Sequence, residues 1–289
     1  MTIFEETSTL SNGVAIPRMA LGTWFIDDDK AAEAVRTAVE IGYRHIDTAQ
    51  AYENERGVGE GIRTCGIPRE QLFVTSKVAA EHKDYDAAAQ SIDETLEKMG
   101  LDYIDMMIIH SPQPWVEVNQ SENRYVEGNR QAWKALEDAL KAGKVRAIGI
   151  SNFLECDIES LLAACEIQPM VNQILCHISK TPQSLISFCR EKGIVVEAYS
   201  PVAHGVALQN EKIGEMAKKY HVSIPQLCIR YDWQLGTVVL PKTANPEHMK
   251  ANADIDFEIS AEDMQTLMSM EETTDYGEFG IFPVYGGKL

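Results

Sequence analysis

Tyr52 is a candidate proton donor, and three further residues are of the types that would make it one. Reducing a carbonyl with hydride leaves an alkoxide that must take up a proton, and a phenol can supply it. A free tyrosine has a pKa near ~10, so its proton is poorly available at neutral pH. A nearby cation favours the phenolate and lowers that value. Lys77 is such a cation, Asp47 is a carboxylate able to hold it, and His110 could orient the carbonyl oxygen. Taken singly they compel nothing: a strand-end aspartate is often a helix cap, and a lone lysine is usually a solvated stem. Their placement carries the argument. Asp47 ends the run Tyr43 to Asp47, Lys77 ends Leu72 to Lys77, and His110 ends Tyr103 to His110. Tyr52 stands in the loop just past Asp47.

Those runs belong to a repeating order. Asn12-Gly13 between two short extended runs predicts a hairpin over Thr7 to Ile16. Eight short β-branched runs follow, over 19–24, 43–47, 72–77, 103–110, 145–150, 170–174, 194–199 and 237–241. Segments of helical period separate them, over 29–41, 53–64, 84–99, 129–142, 157–165, 182–192, 210–220 and 224–235. Two more lie beyond the last strand, from Pro246 and over 261–270. Alternating strands and helices imply parallel pairing, and eight units predict a (β/α)8 TIM barrel with an N-terminal β-hairpin and extra helices. No linker-like stretch divides the chain, so residues 1–289 are expected to form a single barrel domain. The stretch 111–128 has no period and contains Pro112 and Pro114, which predicts a functional loop.

In such a barrel the carboxyl ends of the strands form the functional face. Asp47, Tyr52, Lys77 and His110 would converge there, with Ser151, Asn152, Gln173, Tyr199, Ser200, Lys242 and Thr243 at other strand ends. Amides and hydroxyls suit a carboxamide, and a tyrosine face suits an aromatic ring. A lysine followed by a helix amino terminus suits a phosphate.

Composition narrows the partners. A formal net charge of -18 argues against nucleic acid and against an anionic membrane surface. No apolar run reaches the ~18 residues of a membrane span. The amino terminus lacks the basic and apolar segments of a leader, so a cytoplasmic location is expected. Cys65, Cys156, Cys165, Cys176, Cys189 and Cys228 form no C-x-x-C pair and read as reduced core residues. Gly57, Gly59 and Gly61 lack the spacing of a phosphate loop and read as close helix packing. No G-x-G-x-x-G follows the first strand, and no tyrosine has a lysine four positions on, which removes two other classes of dinucleotide-dependent dehydrogenase.

Six motifs, in order and at this spacing, carry a resemblance: Gly22-Thr23-Trp24, His45-Ile46-Asp47-Thr48-Ala49, Tyr52-Glu53-Asn54-Glu55, Ile148-Gly149-Ile150-Ser151-Asn152-Phe153, Glu197-Ala198-Tyr199-Ser200-Pro201 and Pro241-Lys242-Thr243. From the hairpin to about residue 270 the chain resembles the aldo-keto reductase superfamily, in its bacterial-type members with a short carboxyl-terminal tail. The resemblance implies NAD(P)H-dependent reduction of aldehydes or ketones without a metal. It makes Tyr52 the general acid, tuned by Lys77 and Asp47, with His110 placing the carbonyl. It assigns Ser151, Asn152 and Gln173 to the nicotinamide carboxamide, Tyr199 to its ring and Ser200 to the pyrophosphate. Thr23 would also meet the cofactor, with Lys242, Thr243, His248 and Asn252 at its adenosine end. Trp24, His110 and Trp115 would border the substrate, with Val202 to His204, Phe279, Phe282 and Tyr285; for Trp24 and Trp115, core packing is an equal alternative.

The chain also departs from the family pattern. Ser111 follows the histidine where an aromatic residue is usual, and His177-Ile178 replaces a His-Pro pair. His248 stands where the family has arginine, and Ala251 where it has glutamate. A histidine lacks the always-charged planar fork of arginine, so NADPH is expected with only a modest preference and NADH is usable. A rival reading keeps the barrel and cofactor but makes the protein a redox-sensing or interaction subunit with little turnover. Substrate identity and oligomeric state are not legible.

Overall fold

The hairpin comes first in the computed structural model, which describes residues 2–289. Strands β1 (Thr7–Thr9) and β2 (Ala15–Pro17) pair antiparallel. Gly13 at φ 86° turns the chain, and Asn12 Nδ2 donates to Arg146 O at 2.9 Å. That bond fastens the hairpin to the entry of a barrel strand, the face opposite the strand ends that carry the site.

Eight strands then follow in sequence order around one parallel sheet: β3 (Ala20–Gly22), β4 (His45–Asp47), β5 (Phe73–Val78), β6 (Ile104–Ile109), β7 (Val145–Ser151), β8 (Val171–Leu175), β9 (Val195–Tyr199) and β10 (Val238–Leu240). Bridges Met19 to Val239 and Gly22 to Lys242 join the last strand to the first. Val239 N donates to Arg18 O at 2.8 Å and Gly22 N to Pro241 O at 3.0 Å across that seam. The expected (β/α)8 barrel with its hairpin is the fold.

The helices are α1 (Asp28–Ile41), α2 (Glu55–Thr64), α3 (Tyr85–Met99), α4 (Val126–Lys141), α5 (Glu155–Leu162), α6 (Gln183–Glu191), α7 (Glu211–Lys219), α8 (Ile224–Gln234), α9 (Pro246–Ala253) and α10 (Ala261–Met268). Each forms for local reasons. In α3 the Asp84 carboxylate accepts from Ala87 N at 2.8 Å, and Gly100 at φ 63° ends the helix. One face of α1 is buried through Ala31, Ala34, Val35, Ala38 and Val39. Burying each such valine contributes roughly 1.5–3 kcal/mol. The three α2 glycines permit contact: a Cβ on Gly57 would lie 2.0 Å from Asp28 O, and one on Gly59 2.2 Å from Met99 O. Helices α1 and α3 therefore pack backbone-close on α2, as the sequence suggested.

Three expectations shift. Helix α4 starts at Val126, three residues early, after Tyr125 turns in the left-handed region at φ 51°. Helix α5 runs from Glu155 to Leu162 rather than 157–165, because Asp157 sits inside its first turn and accepts from Leu154 N at 3.0 Å. The cysteines are all free among the described residues, but only Cys176, Cys189 and Cys228 are buried; Cys65 and Cys165 are half-buried and Cys156 is exposed on α5. No helix of the described residues is long and apolar enough to cross a membrane.

Candidate active site

Side chains alternate along a strand, so every second residue of a barrel strand points inward. The inner set here is polar. Lys77 on β5 is fully buried; its Nζ donates to Asp47 Oδ1 at 2.6 Å and to Thr48 O at 2.8 Å. Gln173 on β8 reaches across the interior, its Nε2 donating to Asp47 Oδ2 at 2.8 Å and to Glu197 Oε2 at 2.8 Å. Thr23 Oγ1 donates to Asp47 O at 3.0 Å. The ammonium lies 4.9 Å from the centroid of the Tyr52 ring, which belongs to a short 3-10 turn after β4. His110, just past β6, packs edge-on to Tyr52 at 5.6 Å and to Trp115 at 5.1 Å.

These groups border one cavity of about 420 Å³ at the carboxyl ends of the strands. Asp47, Tyr52, His110, Thr23, Trp24, Trp115, Ser151, Asn152, Gln173, Tyr199, Ser200 and Lys242 all line it. Lys77 lies beneath, touching the cavity only through its partners. Trp24 and Trp115 are half-buried walls rather than core packing. Asn152 at φ 62° and Ser200 at φ 57° sit in the left-handed region immediately after β7 and β9. Such backbone is uncommon for residues with a Cβ and clusters at sites.

Electrostatics corrects one expectation. Burial pushes the Tyr52 phenol above its ordinary value; Lys77 pulls it back, and Asp47 pushes it up again, so the net is a raised pKa. The cation acts in the expected direction but does not outweigh desolvation. Burial opposes the Lys77 charge, yet Asp47 and Tyr52 prevail and hold the ammonium above its usual value. Lys77 is therefore charged throughout the neutral range. Burial, then Lys77 and Lys83, keep His110 well below the usual histidine range, so its ring is neutral. Its Nδ1 is buried without a partner among the described residues. A bare acceptor there is less costly than an orphaned N–H, which places the ring proton on Nε2.

The surroundings supply a second row of donors and acceptors. Asn152 Nδ2 donates to His110 O at 2.9 Å, and its Oδ1 accepts from Tyr199 OH at 2.6 Å. Ser151 Oγ donates to Gln173 O at 2.9 Å. With both Nε2 protons committed to carboxyl groups, Gln173 Oε1 is a free acceptor among the described residues. A free amide oxygen beside Asn152, with the Tyr199 ring also on the wall, fits a nicotinamide carboxamide and its ring.

The adenosine-end residues gather less tightly. Thr243, His248 and Asn252 do not line the cavity. His248 is exposed on α9 and Asn252 buried on the same helix. Helix α9 does not offer free N–H groups as expected: Asn245 Oδ1 accepts from Glu247 N at 2.9 Å and His248 N at 3.4 Å, and Pro246 has no N–H. The donors open to an anion there are side chains. Ser200 also differs, its hydroxyl paired with Tyr285 OH at 2.6 Å.

Sequence reasoning named the aromatic tail but not its course. Turns Gly277–Ile281 and Pro283–Tyr285 fold over the mouth, and Phe282, Pro283, Val284 and Leu289 line the cavity. Asn119 Nδ2 holds the tail through Pro283 O at 2.8 Å and Gly287 O at 3.0 Å. His177, followed by Ile178 where the family has proline, binds Tyr276 OH through Nε2 at 3.0 Å. Glu197 was missed entirely. Its signal was a lone carboxylate at an inward position of an otherwise apolar strand.

Eight parallel strands closed into one barrel, with a cavity at their carboxyl ends, define the TIM-barrel class. The Aldo/keto reductase family model matches residues 18–272. The glyoxal reductase of Bacillus subtilis (strain 168) is 40% identical over 278 residues, covering 96% of each chain. A crystal structure of an aldo/keto reductase from Brucella melitensis superposes with a TM-score of 0.84 at 34% identity, covering 91% of this chain and 98% of that one. A Bombyx mori aldo-keto reductase in complex with NADP gives 0.83 at 30% identity, covering 97% and 98%. This chain belongs to the aldo/keto reductase family, and so is an NAD(P)H-dependent carbonyl oxidoreductase.

Proposed function

We propose that the protein reduces neutral aldehydes and ketones to alcohols with NADPH, and that Tyr52 is the general acid. The observation that carries this reading is the convergence of Tyr52, His110 and the buried Lys77–Asp47 pair beside one cavity. Ser151, Asn152 and Gln173 would hold the carboxamide, Tyr199 the ring, and Lys242 with Thr243 the phosphate end. Bound NADPH would supply the hydride.

The side chains do the rest. Neutral His110 donates from Nε2 to the carbonyl oxygen and fixes its position. As negative charge builds on that oxygen, the Tyr52 hydroxyl gives up its proton to it. A raised phenol pKa does not forbid this step, because an alkoxide is a far stronger base than a phenolate. Lys77 stabilises the phenolate as it forms, and Asp47 keeps Lys77 in place. Solvent returns a proton to Tyr52 after release. Trp24, Trp115, Phe282 and Val284 give the cavity apolar walls, which favour uncharged carbonyl compounds. A similarity to a protein named glyoxal reductase points the same way.

The test is loss of NADPH absorbance with a panel of neutral aldehydes and ketones. Turnover with several of them is expected. NADPH binding without turnover on any would favour the redox-sensing reading instead.

A further inference from the structure

Gln173 is held by two carboxyl groups at once. Its Nε2 donates to Asp47 Oδ2 and Glu197 Oε2, each at 2.8 Å, and both acceptors are buried. An amide nitrogen has two protons, so these bonds leave none for the cavity. Glu197 faces Gln173 directly in the strand register. It is 0% exposed, and its Oε1 has no hydrogen-bond partner among the described residues; His45 Nε2 lies 3.9 Å away. A buried polar atom without a partner is unfavourable, and an apolar side chain would avoid that. Packing alone gives no account of a carboxyl group here.

We propose that Glu197 is a positioning residue for the cofactor: with Asp47 it clamps the Gln173 amide, so that Oε1 faces the cavity as acceptor for the nicotinamide carboxamide N–H2. This rests on the cofactor placement proposed above. Burial first, and then the charge of Asp47, raise the Glu197 carboxyl to about 8. Burial thus favours the neutral acid, and Oε2 is the acceptor for Gln173. Glutamine at this position reproduces that shape. Leucine does not: the second Gln173 proton loses its acceptor, and the amide is free to turn that N–H toward the cavity. There it would meet the carboxamide nitrogen donor to donor.

The experiment compares NADP+ with its 3-acetylpyridine analogue, in which a methyl ketone replaces the carboxamide and no N–H2 remains. Binding is read by quenching of tryptophan fluorescence, with thermal unfolding as a control, for wild type, Glu197→Gln and Glu197→Leu. Wild type and Glu197→Gln should bind NADP+ about tenfold more tightly than the analogue, the effect of one hydrogen bond. Glu197→Leu should discriminate by less than about twofold while its Tm does not fall. Glu197→Met gives a second apolar variant should leucine not be accommodated. Full discrimination in both apolar variants, or its loss in Glu197→Gln, overturns the proposal and leaves the cofactor placement standing. If wild type does not distinguish the two dinucleotides, that placement fails and the role of Glu197 falls with it.

Discussion

Lys77→Met removes the buried ammonium and keeps most of its stem. The Lys77 Nζ lies 4.9 Å from the Tyr52 ring centroid. At an effective dielectric of ~20, an ammonium and a phenolate at that separation attract by roughly 3 kcal/mol. At ~1.4 kcal/mol per decade, full loss would slow the chemical step by about 10²-fold. The phenolate is only partly formed in the transition state, so a fall in kcat of ~10- to ~100-fold is expected. Stability drops too, because Asp47 Oδ1 loses its partner while remaining buried. Breaking a buried pair from one side costs about 3–5 kcal/mol. Asp47→Asn combined with Lys77→Met separates the two effects: the double variant should recover much of the lost Tm and none of the lost rate. The assay is kcat at saturating NADPH with Tm on the same samples. A kcat within about threefold of wild type for Lys77→Met would refute the electrostatic role assigned to this lysine.

His248→Arg places an always-charged planar fork on α9 where an exposed histidine now stands. The ratio of kcat/KM for NADPH over NADH should rise severalfold through NADPH alone; an unchanged ratio would mean residue 248 does not face the 2′-phosphate. Asp232 is fully buried with Oδ2 unpartnered among the described residues, and burial holds its carboxyl well above the usual range. The folded state thus binds this proton more tightly than the unfolded chain. Its stabilising contribution is complete below the unfolded pKa of ~3.9 and is lost as pH rises toward the folded value. Asp232→Asn, which has no such titration, should gain in Tm on wild type between about pH 5 and about pH 8. A constant Tm difference across that window would contradict the assignment.

What the sequence made legible was local. Asp47, Lys77 and His110 each end an apolar run, and strand-to-helix alternation is a short-range signal, so barrel and cavity wall followed together. The pairing of Gln173 with Asp47 spans 126 positions and depends on strand register across the barrel, which no local pattern encodes. Glu197 shows in the sequence as a lone carboxylate in an apolar run, but its pairing with Gln173 depends on the same register. The direction of the Tyr52 shift turned on how deeply the ring is buried, which its type and neighbours do not state. At α9, Asn245 was legible as a cap, but the consequence was not: its amide oxygen accepts from the N–H groups that a phosphate would need. The α5 boundary moved because Asp157 suits both the cap and the first turn.

Proton donation by Tyr52 is the step on which the proposed reduction depends. Tyr52→Phe removes one oxygen from a ring packed between Trp24 and His110, and leaves the Lys77–Asp47 pair and Gln173 in place. Measured side by side, kcat for aldehyde reduction should fall by at least ~10²-fold, as for loss of a general acid. The Kd for NADP+ should stay within about threefold of wild type. Near-native turnover in Tyr52→Phe would show that the proton comes from another group and that Tyr52 is not the general acid.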